Sequence, residues 1–153
     1  MSTIEQSIEV EVPVRTAYNQ WTQFEEFPRF MEGVERVDQL DDERLHWVAE
    51  IGGRKREWDA KISEQTPDQR VAWHAEGETK HAGVVTFHRL DDSRSRVMLQ
   101  MEFEPTDFVE KLGDAAGVVR RRVKRDLERF KDFIEERGRE TGAWRGEIKQ
   151  DHA

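Results

Sequence analysis

The chain of 153 residues contains no cysteine, no long apolar run and no excess of positive charge. Without cysteine it can form neither a disulfide framework nor a thiolate nucleophile. No run approaches the ~18 apolar residues of a membrane-spanning helix, which argues against stable membrane insertion. The net charge of −8 disfavours binding to nucleic acid and to anionic membranes.

Common catalytic and metal-binding motifs are also missing. The sequence has no GxSxG elbow, no P-loop and no HExxH zinc motif. Its five histidines, His46, His74, His81, His88 and His152, show no spacing typical of a metal site. We therefore expect neither a metal nor a cofactor. The amino-terminal sequence MSTIEQSIEVEVPV has no basic leader or apolar core, and we expect a cytoplasmic protein.

The strongest pattern that is present covers residues 107–138. Apolar residues recur there every three or four positions, at Phe108, Leu112, Ala116, Val119, Val123, Leu127, Phe130 and Ile134. This spacing predicts a long α-helix with one apolar stripe. Such a helix after a series of strands is expected to lie across the sheet that they form.

The front of the chain predicts a strand and two short helices. Residues 7–12 alternate in polarity as a half-buried strand does. Val14, Ala17, Tyr18 and Trp21 follow with helical spacing, and a second short helix is expected to end near Phe27, before a proline. Residues 34–40 fit neither period and suggest a bulged or edge strand.

An antiparallel meander is predicted for residues 41–105. Turn signals recur every 12 to 14 residues, at Gly52-Gly53, Thr66-Pro67-Asp68, residues 77–80 and Asp91-Asp92-Ser93. The alternation between these turns assigns one buried face to the sheet. That face includes Trp47, Trp58, Trp73, His81, Val85, Phe87, Leu99 and Met101.

The carboxyl-terminal end changes to a polar, glycine-bearing composition. We predict one domain over residues 1–138 and a mobile tail over residues 139–153 that is dispensable for folding. Trp144 within this tail is interpreted as a packing anchor or, alternatively, as a docking point on a partner subunit. The second interpretation of Trp144 is compatible with a homodimer.

A basic run lies within the predicted long helix: Arg120, Arg121, Arg122, Lys124, Arg125 and Arg129. Acidic residues interrupt it at helical spacing, and we interpret it as a lattice of ion pairs on the helix surface. Contact with nucleic acid or with another subunit is the less favoured alternative.

The order of elements resembles that of the START-like (helix-grip) superfamily. The likeness is carried by IEVEVPVRTAYNQWTQFEEFPRFM, EWDAKISEQTPDQRVAWHAEG, GVVTFHRLDDSRSRVMLQMEFEP and VKRDLERFKDFIEER. Within that superfamily the chain is similar to the bacterial polyketide cyclase/dehydrase group, which includes coenzyme Q-binding proteins. The resemblance implies an α+β fold, with a curved antiparallel sheet of about seven strands around a long carboxyl-terminal helix. It also implies an apolar cavity that holds lipids, quinones, polyketides or similar molecules.

The expected cavity wall combines the inward-facing residues with the aromatic segment before the meander. The candidate ligand-binding residues are Phe27, Phe30, Met31, Trp47, Trp58, Trp73, Val85, Phe87, Leu99, Met101, Val123 and Asp126. Aromatic walls suit flat apolar ligands. The alternative for the three tryptophans is that they fill the core, and for the phenylalanines that they simply pack there.

These observations and the resemblance indicate two functions from different classes, and a third is a further alternative. The first is binding of a hydrophobic small molecule in the cavity. The second is an aromatase/cyclase or dehydrase, which needs acid–base groups inside the cavity. Asp126, Arg56 and His81 are its candidate catalytic residues, and helical spacing turns Asp126 towards the sheet. The alternative for Asp126 is a partly exposed ion pair with Arg122 or Arg129, which flank it on the helix, at the edge of the helix–sheet interface. The third is a structural or regulatory protein with a closed core.

Overall fold

The computed structural model describes residues 2–51, 53–78, 80–105 and 114–149. Its elements follow the expected order of strand, two short helices, meander and long helix. They are β1 (Ser2–Val10), α1 (Val14–Trp21), a 3₁₀ helix (Phe24–Arg29), β2 (Val34–Gln39), β3 (Arg44–Ile51), β4 (Arg54–Thr66), β5 (Arg70–Glu76), β6 (His81–Asp91), β7 (Arg94–Phe103) and α2 (Ala115–Arg137).

The seven strands form one antiparallel sheet in the order β1-β7-β6-β5-β4-β3-β2. Strands β2 to β7 are joined in sequence, which is the predicted meander, and β1 closes the far edge beside β7. The helices cover one face of the sheet, called the inner face below. The predicted helix-grip architecture is thereby confirmed.

The first strand begins earlier than its alternation predicts. We expect residues 7–12, whereas β1 spans Ser2–Val10. The cause is its partner: β7 continues to Phe103, which lies opposite Ser2, so hydrogen bonding extends β1 towards the amino terminus. Ile4 is buried in this added part.

The segment between α1 and β3 combines a helix turn with an irregular edge strand. The 3₁₀ helix continues through Pro28 to Arg29, two residues beyond the expected end at Phe27. Strand β2 lies at the edge of the sheet, and its pairing with β3 shifts register between Val34 and Arg36. The predicted bulged edge strand is confirmed.

The long helix has a defined start and end. Asp114 caps the amino end of α2, because its side chain accepts a 2.9 Å hydrogen bond from the backbone N–H of Gly117. Gly138 ends the helix in a left-handed conformation with φ of 74°, which glycine adopts without strain. Phe108 and Leu112, the first two residues of the predicted stripe, lie outside the described residues. In the described part of the chain, no helix is long and apolar enough to cross a membrane.

Aromatic side chains join α1, the 3₁₀ helix and α2 into one core. The ring of Trp21 lies 5.2 Å from those of Phe27 and Phe130, and Phe30 lies 5.2 Å from Phe130. All four side chains are buried. This packing fixes the 3₁₀ helix beside β2 and next to Phe130, in the second half of α2.

The described part of the segment after α2, residues 139–149, is docked on the body, contrary to the predicted mobile tail, whose last four residues lie outside the described residues. Thr141 exchanges two hydrogen bonds with the Gln20 side chain, and the backbone N–H of Trp144 donates to the Thr22 hydroxyl. Ile148 forms an antiparallel bridge with Gln65 of β4. Most of these contacts are hydrogen bonds, so apolar periodicity could not reveal them.

Candidate functional site

A cavity of about 170 Å³ lies between the inner face of the sheet, the 3₁₀ helix and the first half of α2. Its wall is mostly apolar and includes Trp21, Phe24, Phe27, Leu45, Ile62, Val71, Leu99, Met101, Val119 and Leu127. The inner-face tryptophans therefore do not fill the whole space between sheet and helix. The cavity is the main candidate for a ligand site, because such sites are concave and largely apolar.

Two stacked indoles form one part of the wall. Trp47 of β3 and Trp58 of β4 lie directly opposite in the strand register, so their side chains project from the same face. Their ring centroids are 5.8 Å apart and the planes differ by only 8°. Trp58 is 9% exposed, and the His81 ring meets its edge at 5.4 Å and 90°. The strand pairing thus presents a flat aromatic surface beside a buried imidazole.

The third inner-face indole, that of Trp73, lies opposite a glycine on the neighbouring strand. Trp73 of β5 pairs with Gly83 of β6, and both belong to the inner face. A Cβ atom on Gly83 would lie 2.7 Å from Cη2 and Cζ2 of Trp73. The six-membered ring of Trp73 therefore covers the position of the missing side chain.

A cluster of charged groups lies at the mouth of the cavity, where α2 meets the segment between the 3₁₀ helix and β2. Arg122 donates to the carbonyl oxygen of Glu32, and Arg129 pairs with the Glu32 carboxylate. The backbone N–H of Glu32 donates to Asp126 Oδ1 at 3.2 Å. Three side chains from successive turns of α2 thus hold one residue, and Glu32, Arg122 and Asp126 all line the cavity.

Asp126 is the most perturbed carboxyl group of this cluster. Its side chain is 15% exposed, and Arg129 Nη1 lies 3.5 Å from Oδ1. Burial raises the pKa of Asp126 to about 7, although Arg122, the Glu32 N–H group and Arg129 all act to lower it. Near neutral pH the group can therefore donate a proton as a carboxylic acid or accept one as a carboxylate.

Most of the candidate residues taken from the sequence line this cavity. Those that do are Phe27, Met31, Trp47, Trp58, Trp73, His81, Leu99, Met101, Val123 and Asp126. Phe30, Val85 and Phe87 are buried among other core side chains and do not line it. Arg56 is half-buried on β4 and is also absent from the cavity wall.

Sequence reasoning missed Glu32 and Gly33 at the mouth of the cavity, and it considered Arg122 only as a possible partner of Asp126. Gly33 has φ of 89°, and a Cβ atom there would collide with the Arg122 guanidinium and with Glu50 O. The helical spacing did set Arg122 beside the apolar stripe of α2. The contact with Glu32 spans 90 positions, however, and no local pattern signals it.

Comparison with known proteins identifies the family of this chain. Residues 10–132 match the family described as polyketide cyclase/dehydrase and lipid transport, and the chain belongs to that family. An uncharacterized 17.2 kDa protein in the melC2–rnhH intergenic region of Streptomyces lincolnensis is 62% identical over 149 residues. That alignment covers 97% of this chain and 99% of the relative.

Solved structures share the fold at low sequence identity. The Zhui aromatase/cyclase from Streptomyces sp. R1128 is 16% identical with a TM-score of 0.75, over 94% of this chain and 99% of that chain. A START superfamily protein from Mycobacterium smegmatis is 14% identical with a TM-score of 0.68, over 88% and 95% of the two chains. These likenesses confirm the predicted helix-grip fold, and the family match over residues 10–132 confirms the predicted relation to the polyketide cyclase/dehydrase group.

Proposed function

We propose that this member of the polyketide cyclase/dehydrase and lipid transport family binds a hydrophobic small molecule in the cavity between sheet and α2. One observation carries the proposal: an aromatic cavity bears a half-buried carboxyl group, Asp126, at its mouth. A ligand that fills the cavity removes its own apolar surface from water, which stabilises the complex by ~25 cal/mol per Å².

The ligand is oriented by the difference between the two ends of the cavity. Its apolar part lies against Trp47 and Trp58, whose stacked rings form an extended flat surface. Its polar atom lies at the mouth, near Asp126 and Arg122. Protonated Asp126 and the Arg122 guanidinium are both donors, so the favoured polar atom is an acceptor such as a carbonyl oxygen.

The proposal is tested by the pH dependence of ligand affinity. A small aromatic ketone, 2-acetylnaphthalene, is titrated by calorimetry at about pH 6 and about pH 8 into the parent protein and Asp126→Asn. Affinity for the parent protein should fall as Asp126 ionises, because a carboxylate repels the ketone oxygen. The asparagine amide cannot ionise, so Asp126→Asn should bind equally well at both pH values.

Glu128→Gln supplies the matched control. Glu128 is exposed on the same helix and does not line the cavity, so this variant should keep the parental pH dependence. An identical pH profile in the parent protein and Asp126→Asn would reject the role of Asp126. If neither the ketone nor a fatty acid binds, the closed-core alternative gains support.

A second candidate function is acid–base catalysis on a polyketide-like substrate. It is favoured by the raised pKa of Asp126, which suits proton transfer near neutral pH. His81 is a second titratable side chain in the same wall. The test is incubation with a poly-β-keto thioester, followed by chromatography for cyclised or dehydrated products. Product formation that is lost in Asp126→Asn would support the enzyme, whereas binding without turnover would favour the first function.

A further inference from the structure

Position 83 requires glycine because a side chain has no room there, and not because of its backbone conformation. Its φ is outside the left-handed range, unlike that of Gly33, Gly53, Gly77 and Gly138. Any residue could therefore adopt its backbone. What the position excludes is a side chain, because the Cη2 and Cζ2 atoms of Trp73 would lie 2.7 Å from a Cβ atom.

The position of the Trp73 ring limits the space above it. Trp73 lines the cavity, and its six-membered ring rests on the backbone of β6 at Gly83. A side chain at position 83 would lift this ring away from the sheet and into the cavity. Conversely, a shorter side chain at position 73 would add volume at this point.

The volume of the cavity sets the scale of the ligand. A cavity of about 150 Å³ in another protein holds a benzene molecule, whereas pockets for drug-sized ligands measure about 300–1,000 Å³. At about 170 Å³ this cavity belongs near the lower end. The stacked rings of Trp47 and Trp58 additionally favour a flat molecule.

We propose that the Trp73–Gly83 pair acts as a size gauge that restricts the ligand to a flat aromatic molecule of about one or two fused rings. This inference rests on the proposed binding function and defines its ligand class. Trp73 then determines specificity by its bulk. It excludes a third ring, while Trp47 and Trp58 hold the first two.

The test uses aromatic alcohols that differ only in their number of rings. Calorimetry with 2-naphthol and 2-hydroxyanthracene is carried out on the parent protein, Trp73→Leu and Trp144→Leu. The parent protein should bind 2-naphthol about tenfold or more tightly than 2-hydroxyanthracene, since a site that is too small rejects the larger ligand sterically. Trp73→Leu should erase or invert this preference.

Trp144→Leu is the matched control, because it makes the same substitution outside the cavity. It should keep the parental ratio of affinities. Trp73→Phe is the second enlarging variant: it keeps an aromatic ring and lacks the two atoms over Gly83, so it tests the gauge even if Trp73→Leu does not fold. In Trp73→Phe the ratio of the affinities for 2-naphthol and 2-hydroxyanthracene should also decrease.

The failures of the two proposals can be told apart with dodecanoic acid as a third probe. Equal affinity of the parent protein for both aromatic alcohols overturns the gauge, and so does an unchanged ratio in the folded Trp73 variants. Binding of dodecanoic acid without either aromatic alcohol overturns the gauge while the binding function stands. If none of the three probes binds, both proposals are rejected.

A double-mutant cycle checks the geometry independently of any ligand. Gly83→Ala should lower the melting temperature, because its Cβ atom meets both the Trp73 ring and the carbonyl oxygen of Gln100, 2.8 Å away. The loss should be smaller in a Trp73→Leu background, where one of the two collisions is removed. Additive effects would overturn the inference that the ring occupies this position.

Discussion

The guanidinium of Arg145 donates a 2.8 Å hydrogen bond to the carboxylate of Asp68. These residues connect the segment after α2 to the turn between β4 and β5. Arg145 also donates to Asn19 at 2.6 Å, and its guanidinium lies 5.6 Å from the ring centre of Tyr18. One side chain thus connects the described part of the tail, residues 139–149, to α1 and to the turn between β4 and β5.

Removal of residues 139–153 should therefore lower the melting temperature by several degrees. In a smaller change, Arg145→Ala should reduce the free energy of unfolding by about 1–2 kcal/mol, because a charged hydrogen bond to partly buried partners is lost. Denaturant unfolding measures the difference. The control is Arg139→Ala, at an exposed arginine of the same segment, and it should have little effect. A truncated protein as stable as the full chain would show that the docking contributes nothing.

The hydrophobic pattern was sufficient to predict the architecture but not the attachment of the tail. Alternation assigned Trp47, Trp58 and Trp73 to the inner face, since a half-buried strand alternates strictly. The tail contacts come from Arg145 and polar neighbours whose partners lie up to 126 positions away. Residues of such a segment carry no periodicity, so sequence alone could not pair them.

The sequence predicted most residues of the cavity wall, but not the contacts of the charged residues at the mouth of the cavity. The alternation along a strand distinguishes residues of the inner face from those of the outer face. It does not separate the inner-face residues that line the cavity from those that are packed in the core. Val85 and Leu99 are opposite each other on the same face, yet only Leu99 lines the cavity. The difference follows from tertiary packing, which buries Val85 completely and leaves Leu99 7% exposed.

Trp58 should be less costly to truncate than a fully packed aromatic residue. Trp58→Ala should lower the free energy of unfolding by about 2–3 kcal/mol, because one side of its ring faces the cavity and was never packed. Phe130→Ala, at a core residue with 0% exposure, should cost about 3–5 kcal/mol. Urea unfolding of both variants gives the comparison. If Trp58→Ala lowers the free energy of unfolding as much as Phe130→Ala does, the Trp58 ring is fully packed and does not border an empty cavity.

His46 should make the stability of the outer face depend on pH. Its ring nitrogens contact Asp59 at 2.7 Å and Glu57 at 3.1 Å, so this histidine is paired with two carboxylates. Hydrogen bonds to Asp59 and Glu57 raise the pKa of the imidazole above its ordinary value. The stabilisation is complete below the unfolded pKa of about 6.5 and is lost as pH rises through the higher folded pKa.

His46→Gln should consequently be less stable than the parent protein at about pH 5.5 and approach it at high pH. His74→Gln, at an exposed histidine of β5 in the same sheet, is the matched control and should show no such convergence. Nuclear magnetic resonance titration of the ring protons measures the pKa of His46 directly. An unshifted pKa would remove the physical basis of the effect.

Asp126 should also lower the stability of the protein as pH rises. Burial raises its pKa from 3.8 in the unfolded chain to about 7 in the folded protein. Between these values the folded state keeps a proton that the unfolded state has released. The free energy of unfolding should therefore fall as pH rises from about 4 to about 7, and should stay lower above that range.

Asp126→Asn removes this contribution, because the asparagine side chain does not titrate. The variant and the parent protein should melt at similar temperatures near pH 4, and the variant should be the more stable of the two at about pH 8. Melting curves across this range measure the gap, with Asp132→Asn as a control on an exposed carboxylate of the same helix. A parent protein that gains stability between pH 4 and 7 relative to Asp126→Asn would show that the pairing with Arg122 and Arg129 outweighs burial. Asp126 would then stay ionised at neutral pH, and its donation of a proton to a ligand oxygen would be ruled out.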